Sequence, residues 1–264
     1  MVEVPESHPR KKSLLSRQKI VDATKNGLLA DSAMIAHGRG EAFDYLLGEK
    51  TSNSARLAIK ESASRLIESD NPVISVNGNT VVLAGKSLIR VAAVLNCPIE
   101  VNIYYRTEER MSKLNSFLEK QKEIVSQEKN PDNWIGDWNN AVKSVKILGK
   151  KGDGRIQGLE GPRSICSSQG IEKADVILVP LEDGDRCEAL VNLGKQVLVV
   201  DLNPLSRTAK MATITIVDEI SRAAELLLED VINKQQMESW LDFAWDNQDV
   251  LNDALKIIAD NSTG

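Results

Sequence analysis

The chain has 264 residues, 42% of them hydrophobic, enough to bury a full core as one large domain or one domain with an appendage, so disorder is not the default reading. Lys and Arg number 33 against 38 Asp and Glu, a net charge of −5, so no global positive field exists to hold nucleic acid and any anion must be met by local arginines. Cys97, Cys166 and Cys187 lack the paired spacing of a zinc or redox centre and read as reduced intracellular thiols.

The leader, residues 1–9, has no apolar core of a signal peptide, and no apolar run approaches the roughly 18 residues of a membrane span. A cytoplasmic protein without a membrane partner is expected. Residues 12–29 put Leu14, Leu15, Ile20, Val21, Ala23, Leu28 and Leu29 loosely on one face, which predicts a peripheral helix with Arg17 on its solvent side. A second helix is predicted over 53–69, where Ala55, Ala58, Ile59, Ala63, Leu66 and Ile67 recur at three- and four-residue steps.

A strand follows at 72–76, then a helix over 80–95 and strand chemistry over 99–104, which together make a βαβ unit. Residues 106–127 are polar with Met111, Leu114, Leu118 and Ile124 at helical intervals, and 145–148, 174–180, 197–201 and 213–217 read as strands. Residues 126–143 carry Trp134 and Trp138 amid polar neighbours and read as a surface insertion pinned by a small aromatic clamp. Beyond a single α/β domain over 1–230, the tail 231–264 carries Met237, Trp240, Leu241, Phe243, Val250, Leu251, Leu255 and Ile258, a helical extension that packs on the body or on a partner subunit.

Strands that alternate with helices, and are apolar throughout instead of alternating in and out, predict a mainly parallel sheet covered on both faces. In such sheets ligands bind at the carboxyl ends of the strands. Three of those ends break into polar residues: Asn77-Gly78-Asn79, Glu182-Asp183-Gly184-Asp185-Arg186, and Asp201-Leu202-Asn203-Pro204. The first two stand where a helix could begin with free amide donors, a place suited to an anion.

Ala84-Gly85-Lys86-Ser87 resembles the end of a phosphate loop, but six residues separate Gly78 from Gly85 where that motif needs four. No Gly-x-Gly-x-x-Gly follows any strand. His37-Gly38-Arg39-Gly40 is more informative, because glycines let backbone amides approach an anion while an arginine between them offers a bidentate fork; a plain turn before a helix at 41–47 would also explain it. Asp183 and Asp185 beside Arg186 could hold Mg²⁺, a ribose or an amine while the arginine holds phosphate, although an acidic helix start accounts for one of them. Asn203-Pro204 is a turn signal at a strand end, where a ligand contact is the stronger reading. His8 is a weaker candidate.

The strings HGRGEAFDYL at 37–46, SVNGN at 75–79, VPLEDGDRCEALVNLGK at 179–195 and DLNPLSRTAKMATITIVD at 201–218 resemble the archaeal 4-phosphopantoate–β-alanine ligase family, also called phosphopantothenate synthetases. The likeness runs from the Ser-His-Pro-Arg leader to about residue 230. It implies an ATP-dependent ligase of coenzyme A biosynthesis on a Rossmann-like homodimer, which joins 4-phosphopantoate to β-alanine and releases AMP and pyrophosphate. The nucleotide-binding positions it implies are Arg17, Arg39, Asp185, Arg186, Cys187, Val191, Asn192, Asn203 and Pro204. Cys187 stands where the family commonly has a hydroxyl residue, which leaves its backbone amide for the nucleotide.

A mechanism consistent with both lines has the substrate carboxylate attack the α-phosphorus of ATP, with Arg39, Arg186 and Asp185 at the reaction centre and Mg²⁺ on the phosphates. The substrate's own phosphate is expected at Asn77, Gly78 and Asn79, near His37. Two rivals are a non-catalytic nucleotide sensor that signals through the Trp-rich segment and tail, and another nucleotide-using transferase on the same fold.

Overall fold

A computed structural model describes residues 4–104, 106–181, 183–234 and 244–262. Three helices come first, α1 (Lys11–Lys25), α2 (Ser32–Leu46) and α3 (Asn53–Glu68), then β1 (Pro72–Val76), α4 (Gly78–Leu95) and β2 (Ile99–Val101). The middle of the chain holds α5 (Glu108–Ser126), α6 (Trp138–Ser144), β3 (Ile147–Leu148), β4 (Gly154–Arg155), a 3-10 turn at Gly161–Ser164 and β5 (Ile165–Cys166). The last part runs β6 (Val176–Pro180), α7 (Gly184–Asn192), β7 (Gln196–Val200), α8 (Arg207–Met211), β8 (Ile214–Ile216), α9 (Ile220–Lys234) and α10 (Asn247–Ser262).

Six strands form one parallel sheet in the order β3-β2-β1-β6-β7-β8, and β4 pairs antiparallel with β5 in a separate ribbon. Every residue of β6 is buried, as expected of a strand covered on both faces. Side chains alternate between two cores. Ile74, Val76, Leu178, Leu198 and Val200 face α3, α4 and α9, whereas Val73, Ile177, Val179, Val197 and Val199 face α7 and the ribbon.

Running outward from β1, the chain crosses one way through β2 and β3 and returns the other way through β6, β7 and β8. The order reverses between β1 and β6, so a crevice opens there at the carboxyl ends of the strands. The register holds the two tips level, with Ile74 opposite Leu178.

α4 is 18 residues long with a mean hydropathy of 1.3, so by length and composition it could cross a membrane, which no apolar run was expected to do. Two thirds of it is buried in this structure, against β1, α5 and α9, as befits the central helix of a core. Full burial of each of Leu88, Ile89 and Val91 contributes about 1.5–3 kcal/mol.

Two local readings change. The helix predicted at 41–47 starts at Ser32, so His37-Gly38-Arg39-Gly40 lies mid-helix and its amides serve the helical ladder instead of an open anion turn. Contacts of α2 with α1, α4 and α10 outweigh the low helix propensity of two glycines. Within 126–143, Trp138 is not a surface clamp but a member of the main core; its indole donates to the Val125 carbonyl at 3.2 Å, and Trp134 meets it edge-on at 5.6 Å.

Of the tail, α10 packs on α3, α2, α8 and β8, while Met237, Trp240, Leu241 and Phe243 lie outside the described residues.

Candidate functional site

At the switch point Asn77 has two tasks. Its Oδ1 caps α4 by accepting from the Thr80 amide at 3.0 Å, and its Nδ2 donates across the crevice to the Leu181 carbonyl at 2.9 Å. Leu181 sits at φ +61°, in the left-handed region that a branched side chain rarely adopts, so the tip of β6 holds a local conformational strain. Asn79 donates to the Ala33 carbonyl at 3.0 Å, which ties α4 to the start of α2.

Arg186, one turn into α7, is buried and donates through Nη1 to Asn102 Oδ1 at the end of β2. Beneath it lies Glu100, fully buried, whose oxygens accept from the Ser167 and Ile171 amides at 2.9 and 2.8 Å. Burial pushes the Glu100 carboxyl up, and those amides and the Arg186 charge pull against that shift without cancelling it.

The acids of the α7 tip face other arginines. Asp183 caps α7 through the Asp185 amide at 3.0 Å and pairs with Arg163; Asp185 pairs with Arg163 at 2.7 Å and with Arg207. The Arg163 guanidinium, and after it Arg207, holds the Asp185 carboxyl below the usual range. Glu182 lies outside the described residues.

With Asp183 and Asp185 already facing arginines, and no group of three or more His, Cys, Asp or Glu gathered to hold an ion among the described residues, this tip does not fit a protein-held Mg²⁺.

Cys187 is fully buried; its thiol faces the Thr208 carbonyl and its amide donates to the Asp183 carbonyl at 2.9 Å, so both groups are engaged within the α7–α8 layer. Asn192 is seven residues from Asp185 and on the same face of α7, and both line a shallow groove with Gln157 and Gly158; Val191 packs beside the inner core instead.

Asn203 shapes the turn after β7, where its amide donates to Asp201 Oδ1 at 2.9 Å and its side chain accepts from the Leu205 amide at 3.0 Å. Pro204 is buried in that turn. Arg39 is exposed on α2 near Asp201, whose carboxyl is pushed up by burial and pulled back by the Ser206 hydroxyl, the Asn203 amide and then Arg39. Arg17 reaches from α1 to Glu41 at 2.5 Å and lines a shallow groove with Gly38 and Tyr45. His8 accepts from the Arg10 amide at 3.1 Å in the leader turn.

A cavity of about 260 Å³ lies between α1, α2, the start of α4 and the start of α9, reaching Leu181 and Leu202 at the strand tips. It contains His37 and Asn79, which the sequence picked out, and also Asp44, Asp218 and Arg222, which it did not. Arg222 bonds Asp44 at 2.5 Å and Asp218 at 2.6 Å, and opposed carboxylates raise its pKa against the burial that lowers it. Asp218 ends the string at 201–218, and the polar break after the strand at 213–217 is a signal that could have found it. Arg163 and Asn102, in contrast, meet the site only through folding, and no local pattern announces them.

The six parallel strands and the polar crevice at their order reversal define a Rossmann-like α/β protein built to hold a ligand at its switch point. The chain belongs to the phosphopantothenate/pantothenate synthetase family, whose profile matches residues 54–261. It is 44% identical over 267 residues to the 4-phosphopantoate–β-alanine ligase of Thermococcus kodakarensis, covering 100% of this chain and 95% of that protein. It is 42% identical over 270 residues to the enzyme of the same name from Thermococcus onnurineus, again covering 100% and 95%. For that of Methanosarcina mazei the figures are 39% over 265 residues, 99% of this chain and 96% of the relative.

Proposed function

We propose that this chain is a 4-phosphopantoate–β-alanine ligase of coenzyme A biosynthesis, cytoplasmic, which consumes ATP and releases AMP and pyrophosphate. The observation that carries this reading is the likeness, over nearly full length, to ligases of that name. The crevice supports it independently. Polar tips of β1, β6 and β7 lie at the carboxyl ends of these adjacent strands, and arginines surround them: Arg39 on α2, Arg186 and Arg207 at α7 and α8, and Arg163 beside the ribbon.

In the reaction the carboxylate of 4-phosphopantoate attacks the α-phosphorus of ATP, pyrophosphate leaves, and the amine of β-alanine opens the acyl-adenylate. Such chemistry needs orientation and charge cancellation more than a protein nucleophile. Arg17 and Arg39 are exposed and can turn onto a triphosphate, while the buried Arg186 acts from beneath, together with Asn102. The α7 face shared by Asp185 and Asn192 suits the nucleoside, and the backbone amides of Gly78 and Asn79 at the start of α4 suit the substrate phosphate. Mg²⁺ is assigned to the triphosphate and arrives with ATP as co-substrate. A homodimer is favoured by Met34, Ile35, Tyr45 and Leu46, large apolar side chains exposed together on α2.

The test is AMP release from ATP, Mg²⁺ and 4-phosphopantoate with and without β-alanine. β-Alanine-dependent AMP with phosphopantothenate as product is expected; tight ATP binding with no AMP overturns the ligase in favour of a sensor.

A further inference from the structure

The cavity between α1, α2 and α9 has a charge pattern unlike a phosphate site. At its buried end Asp44 and Asp218 share a single guanidinium, that of Arg222, which leaves one negative charge over. Glu219 and Glu225 add carboxylates from the loop before α9 and from α9 itself. Lys12 and Lys19 of α1 line the same cavity. Leu83, Leu181 and Leu202 form apolar walls between. A dianion here would face the surplus carboxylates in a partly enclosed space, which is unfavourable, whereas a short zwitterion can match both signs.

A second observation is independent of the acids. Asn79 is only 7% exposed and lines this cavity, and while its Nδ2 donates to Ala33, its Oδ1 accepts no hydrogen bond. A buried carbonyl oxygen of this kind calls for a donor. His37 Nε2, likewise buried in the cavity wall, has no protein partner among the described residues.

We propose that this cavity binds the amine substrate, a short ω-amino acid, with its ammonium against Asn79 Oδ1 and the Glu219–Glu225 side, its carboxylate toward Lys12 and Lys19, and His37 Nε2 as proton acceptor. The proposal rests on the ligase reading and locates one substrate within it. The ammonium gives one proton to His37, and the freed lone pair forms the C–N bond to the acyl carbon. The C–O bond to AMP breaks, AMP leaves with the electron pair, and the second nitrogen proton passes to water. Burial lowers the pKa of His37, with Glu41 and Glu219 opposing and Arg17 assisting, so the imidazole is neutral and able to accept at pH 7.

The experiment is steady-state kinetics on the full chain, with each substrate varied, for Asn79→Ala, Glu225→Gln and His37→Gln. Asn79→Ala and Glu225→Gln are expected to raise KM for β-alanine at least tenfold while KM for ATP and for 4-phosphopantoate holds. His37→Gln is expected to lower kcat and remove the acid limb of its pH profile. Glu225 is exposed, so its variant keeps the test open if Asn79→Ala fails to fold. An unchanged KM for β-alanine in Glu225→Gln and in folded Asn79→Ala, or a rise confined to 4-phosphopantoate or ATP, overturns the proposal and leaves the ligase standing. A wild-type chain that forms no AMP defeats the ligase reading itself.

Discussion

The side-chain amide of Asn77 donates to the Leu181 carbonyl at 2.9 Å, so the residue that starts α4 also holds the strained tip of β6. Asn77→Ala loses the helix cap and is expected to cost about 1–2 kcal/mol of stability. Asn77→Asp retains the acceptor for Thr80 but cannot donate to Leu181, and it sets a carboxylate beside a carbonyl. Urea unfolding together with turnover separates the two roles: the Asp variant should be the more stable of the pair, yet as poor a catalyst as the Ala variant.

Among the described residues Arg222 forms ion pairs with both buried carboxylates, Asp44 and Asp218. Removing one partner from a buried ion pair leaves uncompensated charge, so Arg222→Ala should destabilise by about 3–5 kcal/mol. Denaturant midpoints check this, and a loss under 1 kcal/mol would mean that water reaches the cluster freely.

Gly85, in the string that resembles a phosphate loop, has a packing reason to be glycine. A Cβ there would meet Gln121 Oε1 at 2.1 Å, and Gln121 is itself buried, with its amide donating to the Val81 carbonyl at 3.2 Å. A helical Gly→Ala change ordinarily stabilises by about 0.5–1 kcal/mol. Gly85→Ala should instead destabilise, and the penalty should shrink when combined with Gln121→Ala. A double-mutant cycle with additive effects would refute the packing account.

Arg186→Ala is expected to lower the rate by about 10²–10³, the usual loss for one such donor. Its burial beside Glu100 adds a stability effect with a definite pH dependence. Glu100 has a raised folded pKa, so its contribution is present below the ordinary value of about 4.3 and is lost as pH rises through the folded value. Without Arg186 that folded value climbs further. The stability gap between wild type and variant should therefore be wider at pH 8 than at pH 5, as read by denaturant unfolding at both.

The parallel sheet and its polar tips were legible because each rests on local chemistry: a run such as Val176–Pro180 has no polar face, and Asn77 and Asp183 cap the helices that follow. The extent of α2 was not legible, since Gly38 and Gly40 signal a turn and only contacts with other helices override them. Arg186 was read as a ligand contact from its place beside acids. It also donates to Asn102, 84 residues away, while the adjacent acids meet Arg163 and Arg207. Pairings of this kind depend on which tips the sheet order brings together, and no spacing along the chain encodes that.

Gly38 and Gly40 also bear on how tightly any ligand of the cavity is held. Each lowers helix propensity by about 1 kcal/mol relative to Ala, and a Cβ at Gly38 would meet nothing within 4 Å, so crowding does not explain glycine there. α2 thus owes its order to its neighbours. A molecule bridging α1, α2 and α9 adds to those contacts and so stabilises the wound helix by mass action.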